Sequence, residues 1–90
     1  MKYPLYTLEI IFRGGEKLDI CTGKDIRLED IMHSKVANAF FRLVDRFTDQ
    51  SVLVRWDDVI LIREAVWNEP SLGSPSYLEA GRYNNGKAMR

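Results

Sequence analysis

The most reactive side chains in the sequence are one cysteine and one histidine, Cys21 and His33. Opposed in a fold, a thiol and an imidazole form a nucleophile pair, because the imidazole takes the proton of the thiol. The two residues fall on different predicted elements, Cys21 on a strand and His33 near the start of a helix. The sequence separation of the two residues does not predict that they lie close together in the fold. We therefore assign no catalytic residue and expect a non-enzymatic protein.

Metal and phosphate sites need patterns that the chain matches only in part. A metal site takes several Cys or His ligands at set spacing, and Asp57-Asp58 between two apolar runs is more typical of a turn. Residues 22–25, Thr-Gly-Lys-Asp, are similar to the end of a phosphate loop. Leu18 stands where that motif has its first glycine, and Asp25 stands where it has Ser or Thr. We therefore expect no metal and no other cofactor.

The charges argue against a duplex-DNA binder, since thirteen Lys and Arg balance thirteen Asp and Glu. Arg13-Gly14-Gly15 is a single RGG tripeptide, which here is more typical of a hairpin than of the repeated RGG segments that bind RNA. Single-stranded nucleic acid is the alternative partner. Aromatic side chains of a sheet would stack on its bases, and four cations would hold its phosphates: Arg13, Lys17, Arg55 and Arg63.

Length and composition indicate one small domain. The chain has 90 residues, of which 46% are apolar and 29% charged, close to the globular average. No apolar run is long enough to span a membrane, and Glu9 interrupts the first apolar run too early for a signal-peptide core. One cysteine forms no internal disulfide. We expect a soluble, cytoplasmic protein with no membrane partner.

The first two predicted elements are strands. Residues 6–13 and 17–22 both alternate apolar and polar side chains, and the glycines between them predict a hairpin. A three-residue loop, 14–16, would pair Phe12 with Leu18 and Ile10 with Ile20. That register keeps one face apolar, which outweighs the single ion pair gained with a shorter loop.

A helix and a second hairpin complete the predicted domain. Apolar residues at helical spacing predict an amphipathic helix over residues 28–47. Residues 52–56 and 59–66 predict two strands joined at Asp57-Asp58. The sequence therefore predicts an α+β fold of ββαββ order, in which antiparallel hairpins form one sheet packed on a single helix.

The composition changes after Trp67. Asn, Pro, Ser and Gly supply 11 of the 23 residues from 68 to 90. Such a density of residues that break regular structure predicts an irregular or flexible C-terminal tail. We thus divide the chain into a folded domain, 1–67, and a tail, 68–90.

An apolar outer sheet face is the strongest functional indication. In the predicted registers Ile11, Cys21, Leu53, Ile60 and Ile62 all project away from the helix, and such patches mark binding surfaces. Arginine and tryptophan are frequent at interface hot spots, which adds Arg55 and Trp67, whereas Trp56 is expected in the core. The predicted interface residues are Ile11, Leu53, Arg55, Ile60, Ile62 and Trp67. We expect an interaction or regulatory module that forms a homodimer, a type found among small phage and mobile-element proteins.

Overall fold

The computed structural model describes residues 3–24, 26–68 and 75–85. Along these run β1 (Leu5–Phe12), β2 (Lys17–Gly23), α1 (Leu28–Lys35), β3 (Phe40–Val44), β4 (Ser51–Arg55), a 3₁₀ turn (Trp56–Asp58), β5 (Val59–Trp67) and β6 (Ser76–Asn84). The strands form two antiparallel sheets: a large sheet with the order β2-β1-β5-β6 and a small sheet of β3 and β4. The predicted α+β class is confirmed.

The core lies between the inner face of the large sheet on one side and α1 with the small sheet on the other. The large sheet contributes Leu8, Ile10, Ile20, Val59 and Ile62; α1 contributes Leu28 and Ile31; the small sheet and the turn after it contribute Phe41, Leu43, Val54 and Trp56. Removal of these side chains from water is the main favourable term in folding.

The first hairpin forms as the alternation predicts, but its loop lies one residue earlier. The loop comprises residues 13–15, and Gly15 has a φ of +90°, which glycine adopts without a steric penalty. Leu18 therefore pairs with Ile10 rather than with Phe12, and the other predicted pairings shift in the same way. Because the shift is by two residues, the apolar face is preserved.

The helix begins at Leu28 as predicted but ends at Lys35, so the predicted helix over residues 28–47 is too long. Residues 40–44 form β3, in which Phe41 and Leu43 are buried while Phe40 and Arg42 are exposed. The apolar residues of this segment fit both the helical and the alternating period. Pairing with β4 selects the strand, since only that arrangement buries Phe41 and Leu43 against Val52 and Val54.

The predicted second hairpin and the predicted single sheet are wrong. β4 pairs with β3, whereas β5 lies between β1 and β6. Asp57 and Asp58 belong to the 3₁₀ turn that carries the chain from the small sheet to the large one. The two apolar strands thus belong to different sheets.

A part of the predicted irregular tail is a strand, β6, which pairs antiparallel with β5. The ring of Tyr83, on this strand, lies edge-on to the ring of Trp56, and the two ring centroids are 5.3 Å apart. After the strand, the backbone N–H of Asn85 donates to the carbonyl of Ile60 at 2.7 Å. These long-range contacts order a segment whose composition favours irregular structure. Residues 69–74 and 86–90 of the predicted tail lie outside the described residues.

A buried carboxylate joins α1 to the large sheet. Glu64 on β5 accepts hydrogen bonds from two guanidinium nitrogens of Arg27 at 2.8 and 2.9 Å and from the backbone N–H of Leu28 at 2.9 Å. A negative charge at this position satisfies an otherwise unpaired N–H of the helix and suits the helix dipole. The hydrogen bonds to Glu64 raise the pKa of Arg27. The carboxylate therefore fixes where α1 starts on the sheet.

Candidate protein-interaction surface

The six residues of the predicted interface do not form one surface. Ile62 is fully buried in the core, with 0% of its surface exposed, so its assignment to the interface is wrong. Ile11 and Ile60 are half-buried on the large sheet, as is Trp67 at the end of β5. Leu53 and Arg55 are exposed on the small sheet. The set separates because β4 pairs with β3 and not with β5.

Leu53 and Arg55 belong to an exposed face on the small sheet, which we call the β3–β4 face: Phe40, Arg42, Leu53 and Arg55. Phe40 lies opposite Arg55, and Arg42 lies opposite Leu53. Leu53 is 68% exposed and Phe40 is 48% exposed. The two apolar side chains therefore occupy one diagonal of the face and the two guanidinium groups the other, close enough for long side chains to touch.

Few contacts occupy the two guanidinium groups of the β3–β4 face. The Nε of Arg42 donates to the hydroxyl of Ser51 at 2.7 Å, which directs the side chain across the strand pair. Arg55 lies 3.8 Å from the carboxylate of Asp57, and both partners are more than half exposed. Such surface pairs contribute little to stability. A guanidinium group has five N–H donors, so both arginines retain donors for a partner.

The outer face of the large sheet is charged at its centre, in contrast to the predicted apolar face. Glu9 is buried there and accepts hydrogen bonds from Arg63, while Lys17 lies 3.3 Å from its second oxygen. The ring of Tyr77 lies 4.5 Å from the Arg63 guanidinium. Burial alone would raise the pKa of Glu9, but the bonds from Arg63 and Lys17 outweigh it and lower that pKa. The charged network thus occupies the centre of this face with the chain's own side chains.

A cleft of about 210 Å³ opens near one end of this outer face. Its lining is largely apolar and comprises Tyr3, Leu5, Thr7, Cys21, Phe47 and Trp67. The indole N–H of Trp67 donates to the Thr7 hydroxyl at 3.2 Å. Trp67, predicted as an exposed anchor, is thus held against the sheet as one wall of the cleft. The volume is smaller than that of most small-molecule sites.

The reactive residues lie apart. Cys21 is on the outer face of the large sheet, opposite Thr7, whereas α1 with His33 packs against the inner face. Burial raises the pKa of the Cys21 thiol, which disfavours the nucleophilic thiolate. The residues that the structure describes contain no group of three or more His, Cys, Asp or Glu placed to hold a metal ion. Asp25 of the phosphate-loop comparison lies outside them.

Two residues of the β3–β4 face were missed by sequence reasoning. Phe40 and Arg42 were assigned to the helix over residues 28–47, on which they would point in different directions. The alternation of exposed Phe40 and Arg42 with buried Phe41 and Leu43 is the signal that identifies the strand. It covers only five residues, and a helical period runs through the same segment.

Comparison of the chain with protein-family models, with curated proteins and with solved structures found no match. No helix among the described residues is long and apolar enough to cross a membrane. The β3–β4 face is therefore interpreted from its own chemistry.

Proposed function

We propose that this chain is a small, non-enzymatic protein–protein interaction module with a regulatory role, which self-associates through its β3–β4 hairpin. The observation that carries the proposal is the pair of exposed apolar side chains, Phe40 and Leu53, set between Arg42 and Arg55. Aromatic residues and arginine are enriched at protein interfaces. An apolar cluster exposed to water is unfavourable until a partner covers it, so such clusters commonly mark binding surfaces. The single buried cysteine is consistent with a cytoplasmic protein.

A second copy of the chain is the partner that we propose. Symmetric dimers are the commonest oligomers, and the same patch serves both subunits. Leu53, on the apolar diagonal of the face, offers a contact that a second copy reciprocates. The remaining large surface, the outer face of the large sheet, is occupied by the Glu9, Arg63 and Lys17 network and supports the proposal less well.

The proposal is tested by sedimentation equilibrium over a range of protein concentrations. We expect the mass to rise from that of the 10.5 kDa chain toward twice that value. Leu53→Lys should remove this rise, because it places a charge at the centre of the contact. Val36→Lys is the matched control, since Val36 is 96% exposed and lies outside the face. A dimer that persists in Leu53→Lys, or a monomer throughout, would contradict the proposal.

Single-stranded nucleic acid is the second candidate partner, and it is favoured by Phe40, an exposed ring on a sheet between two arginines. Of the cations expected to hold phosphates, however, Lys17 and Arg63 contact Glu9, and the Nε of Arg13 donates to the carbonyl of Asp57 at 2.6 Å. A labelled oligonucleotide at low salt distinguishes the two. Salt-sensitive binding lost in Phe40→Ala would favour nucleic acid over self-association.

A further inference from the structure

The hydrogen-bonding pattern between β3 and β4 determines which backbone N–H and C=O groups of β4 face away from β3. The N–H of Asp45 donates to the carbonyl of Gln50 at 2.8 Å, and that of Trp56 donates to the carbonyl of Ala39 at 3.0 Å. Because bonded and non-bonded pairs alternate in an antiparallel ladder, Val52 and Val54 bond to β3. The backbone groups of the other three residues of β4 point outward: Ser51, Leu53 and Arg55.

No other strand of the described residues pairs with this side of β4, which makes it an edge. Exposed edges attract further strands, and proteins commonly protect them with charges, bulges or covering elements. β6 is the edge at one side of the large sheet, and it carries Glu79, Arg82 and an irregularity opposite Arg63 and Glu64. The edge strand β2 carries charges and accepts a hydrogen bond at the Cys21 carbonyl from the N–H of Arg46.

β4 lacks these protective features. Its sequence is Ser-Val-Leu-Val-Arg, without proline and without a charge before its last residue, and its pairing with β3 is regular throughout. β3, the other edge of the small sheet, carries Arg42 at its centre, and the N–H of Arg46 just beyond it donates to the Cys21 carbonyl of β2. Among the edges of the two described sheets, β4 is thus the one best suited to accept a further strand.

We infer that two copies of the chain pair through β4, antiparallel and with Leu53 on the two-fold axis; this rests on the self-association proposed above. In this register Leu53 meets the partner's Leu53, and Ser51 meets the partner's Arg55. All three outward-facing residues then form pairs of the hydrogen-bonded type. The carbonyl of Arg55 has a second donor, because Arg55 precedes the 3₁₀ turn and its carbonyl accepts the first hydrogen bond of that turn. The register therefore leaves no outward backbone group of Ser51, Leu53 or Arg55 unpaired.

Side chains favour the same arrangement. On the exposed face the Leu53 side chains of the two copies become neighbours, whereas the core-side Val54 is already buried within each copy and adds little to the contact. The Arg55 residues of the two copies lie about 14 Å apart along the strands, four residues at the strand rise. Edge pairing therefore brings the Leu53 side chains of the two copies together while it keeps their Arg55 side chains apart.

Cross-linking tests the register. A Cys21→Ala, Leu53→Cys variant of the full chain is treated with dibromobimane, a short thiol cross-linker, at concentrations at which the parent chain is dimeric. Cys21→Ala, Arg42→Cys is the matched control, because its two thiols would lie three strands apart, at about 14 Å. We expect a covalent dimer with Leu53→Cys and at least tenfold less of it with Arg42→Cys. Equal yields, or none with Leu53→Cys, would overturn the register.

A proline substitution tests the edge by a second route. Leu53→Pro removes an N–H that faces away from β3, which edge strands tolerate, whereas Val52→Pro removes one that bonds to β3. We expect Leu53→Pro to keep the circular dichroism spectrum of the parent and to lose the dimer. A parent that is monomeric at every concentration would contradict the proposed function itself. A parent dimer that persists in folded Leu53→Pro would contradict only the pairing through β4.

Discussion

Leu53 on β4 lies directly opposite Arg42 on β3, and both side chains are exposed. A leucine beside an arginine on an uncovered sheet offers a partner an apolar contact together with N–H donors. The small sheet buries Phe41, Leu43 and Val54 on its other face, so the core holds the exposed pair in place. The proposed contact surface thereby belongs to a pair of strands anchored in the core and not to a loop.

Because of the Glu9 network, the free energy of unfolding should depend on pH in the acid range. The pKa of Glu9 is lowered from its ordinary value of 4.5, so the folded state prefers the carboxylate. Its stabilising contribution is therefore complete above the unfolded-state pKa and is lost as the pH falls through the folded-state pKa. Glu9→Gln should reduce the free energy of unfolding at pH 7 by about 1 kcal/mol, a modest value because water screens Arg63, whose side chain is 36% exposed.

Urea unfolding at pH 7 and at pH 3 measures this effect, with the fluorescence of the two tryptophans as the probe. The difference between the parent and Glu9→Gln should shrink at the lower pH. Asp19→Asn is the control, because Asp19 is exposed and lies 4.0 Å from Lys17. It should change the free energy of unfolding by less than about 0.5 kcal/mol. An equal loss in both variants would count against a special role of Glu9.

Glu64→Gln should weaken the attachment of α1 to the large sheet. The substitution removes the charge that pairs with Arg27 and leaves that guanidinium, about one-third exposed, without its partner. We expect a loss of about 2 kcal/mol in the free energy of unfolding, less than for a fully buried pair. Thermal and urea unfolding measure the loss. Glu29→Gln in the exposed first turn of α1 should cost about 0.5 kcal/mol, and a comparable cost in both would contradict this assignment.

Gly81 is required because β6 passes close to Glu64. A Cβ at position 81 would lie 2.7 Å from the Cβ of Glu64 and 2.7 Å from its Oε1. Gly81→Ala should therefore force the strands apart and cost about 1–3 kcal/mol. Gly14→Ala is the matched control, since a Cβ there meets no atom within 4 Å. Calorimetric melting compares the two, and equal melting temperatures would show that β6 is not held against Glu64.

The Cys21 thiol should react slowly in the folded protein. It is buried, and its burial raises the pKa, so little thiolate is present and reagents have poor access to it. We expect a thiol-specific chromogenic reagent at pH 8 to label Cys21 at least tenfold more slowly in the folded chain than in urea. A Cys21→Ala, Val36→Cys variant is the control and should react at once, because Val36 is 96% exposed and lies outside the β3–β4 face. Rapid labelling of the parent would contradict the burial of Cys21.

Local patterns predicted the fold where one period dominates and failed where two compete. β1 and β2 alternate strictly, and Leu28 begins the helix as predicted, because these signals are local. The segment from Val36 to Phe47 satisfies a helical and a strand period at once, and its pairing with β4 is a long-range choice. Residues 76–84 carry little apolar alternation, and their order comes from β5 and from Trp56.

The candidate surface could be predicted only in part for the same reason. Leu53 and Arg55 were expected at an interface, and both are exposed on the β3–β4 face. Ile62 was expected beside them on an outer face, but its side chain on β5 points into the core. Phe40 and Arg42 were not expected, because their exposure depends on β3 being a strand. Assigning a face requires the strand order, which local periodicity does not contain.

The most direct test of the central claim is the amide spectrum of the isotope-labelled full chain, recorded by NMR at increasing protein concentration. Self-association through β4 predicts that the signals of Ser51, Leu53 and Arg55 shift together as the concentration rises, and that their amides become slower to exchange with solvent. A spectrum that is independent of concentration would contradict self-association. Shifts confined to β6 or to the cleft at Trp67 would place the contact elsewhere and contradict the role of the β3–β4 hairpin.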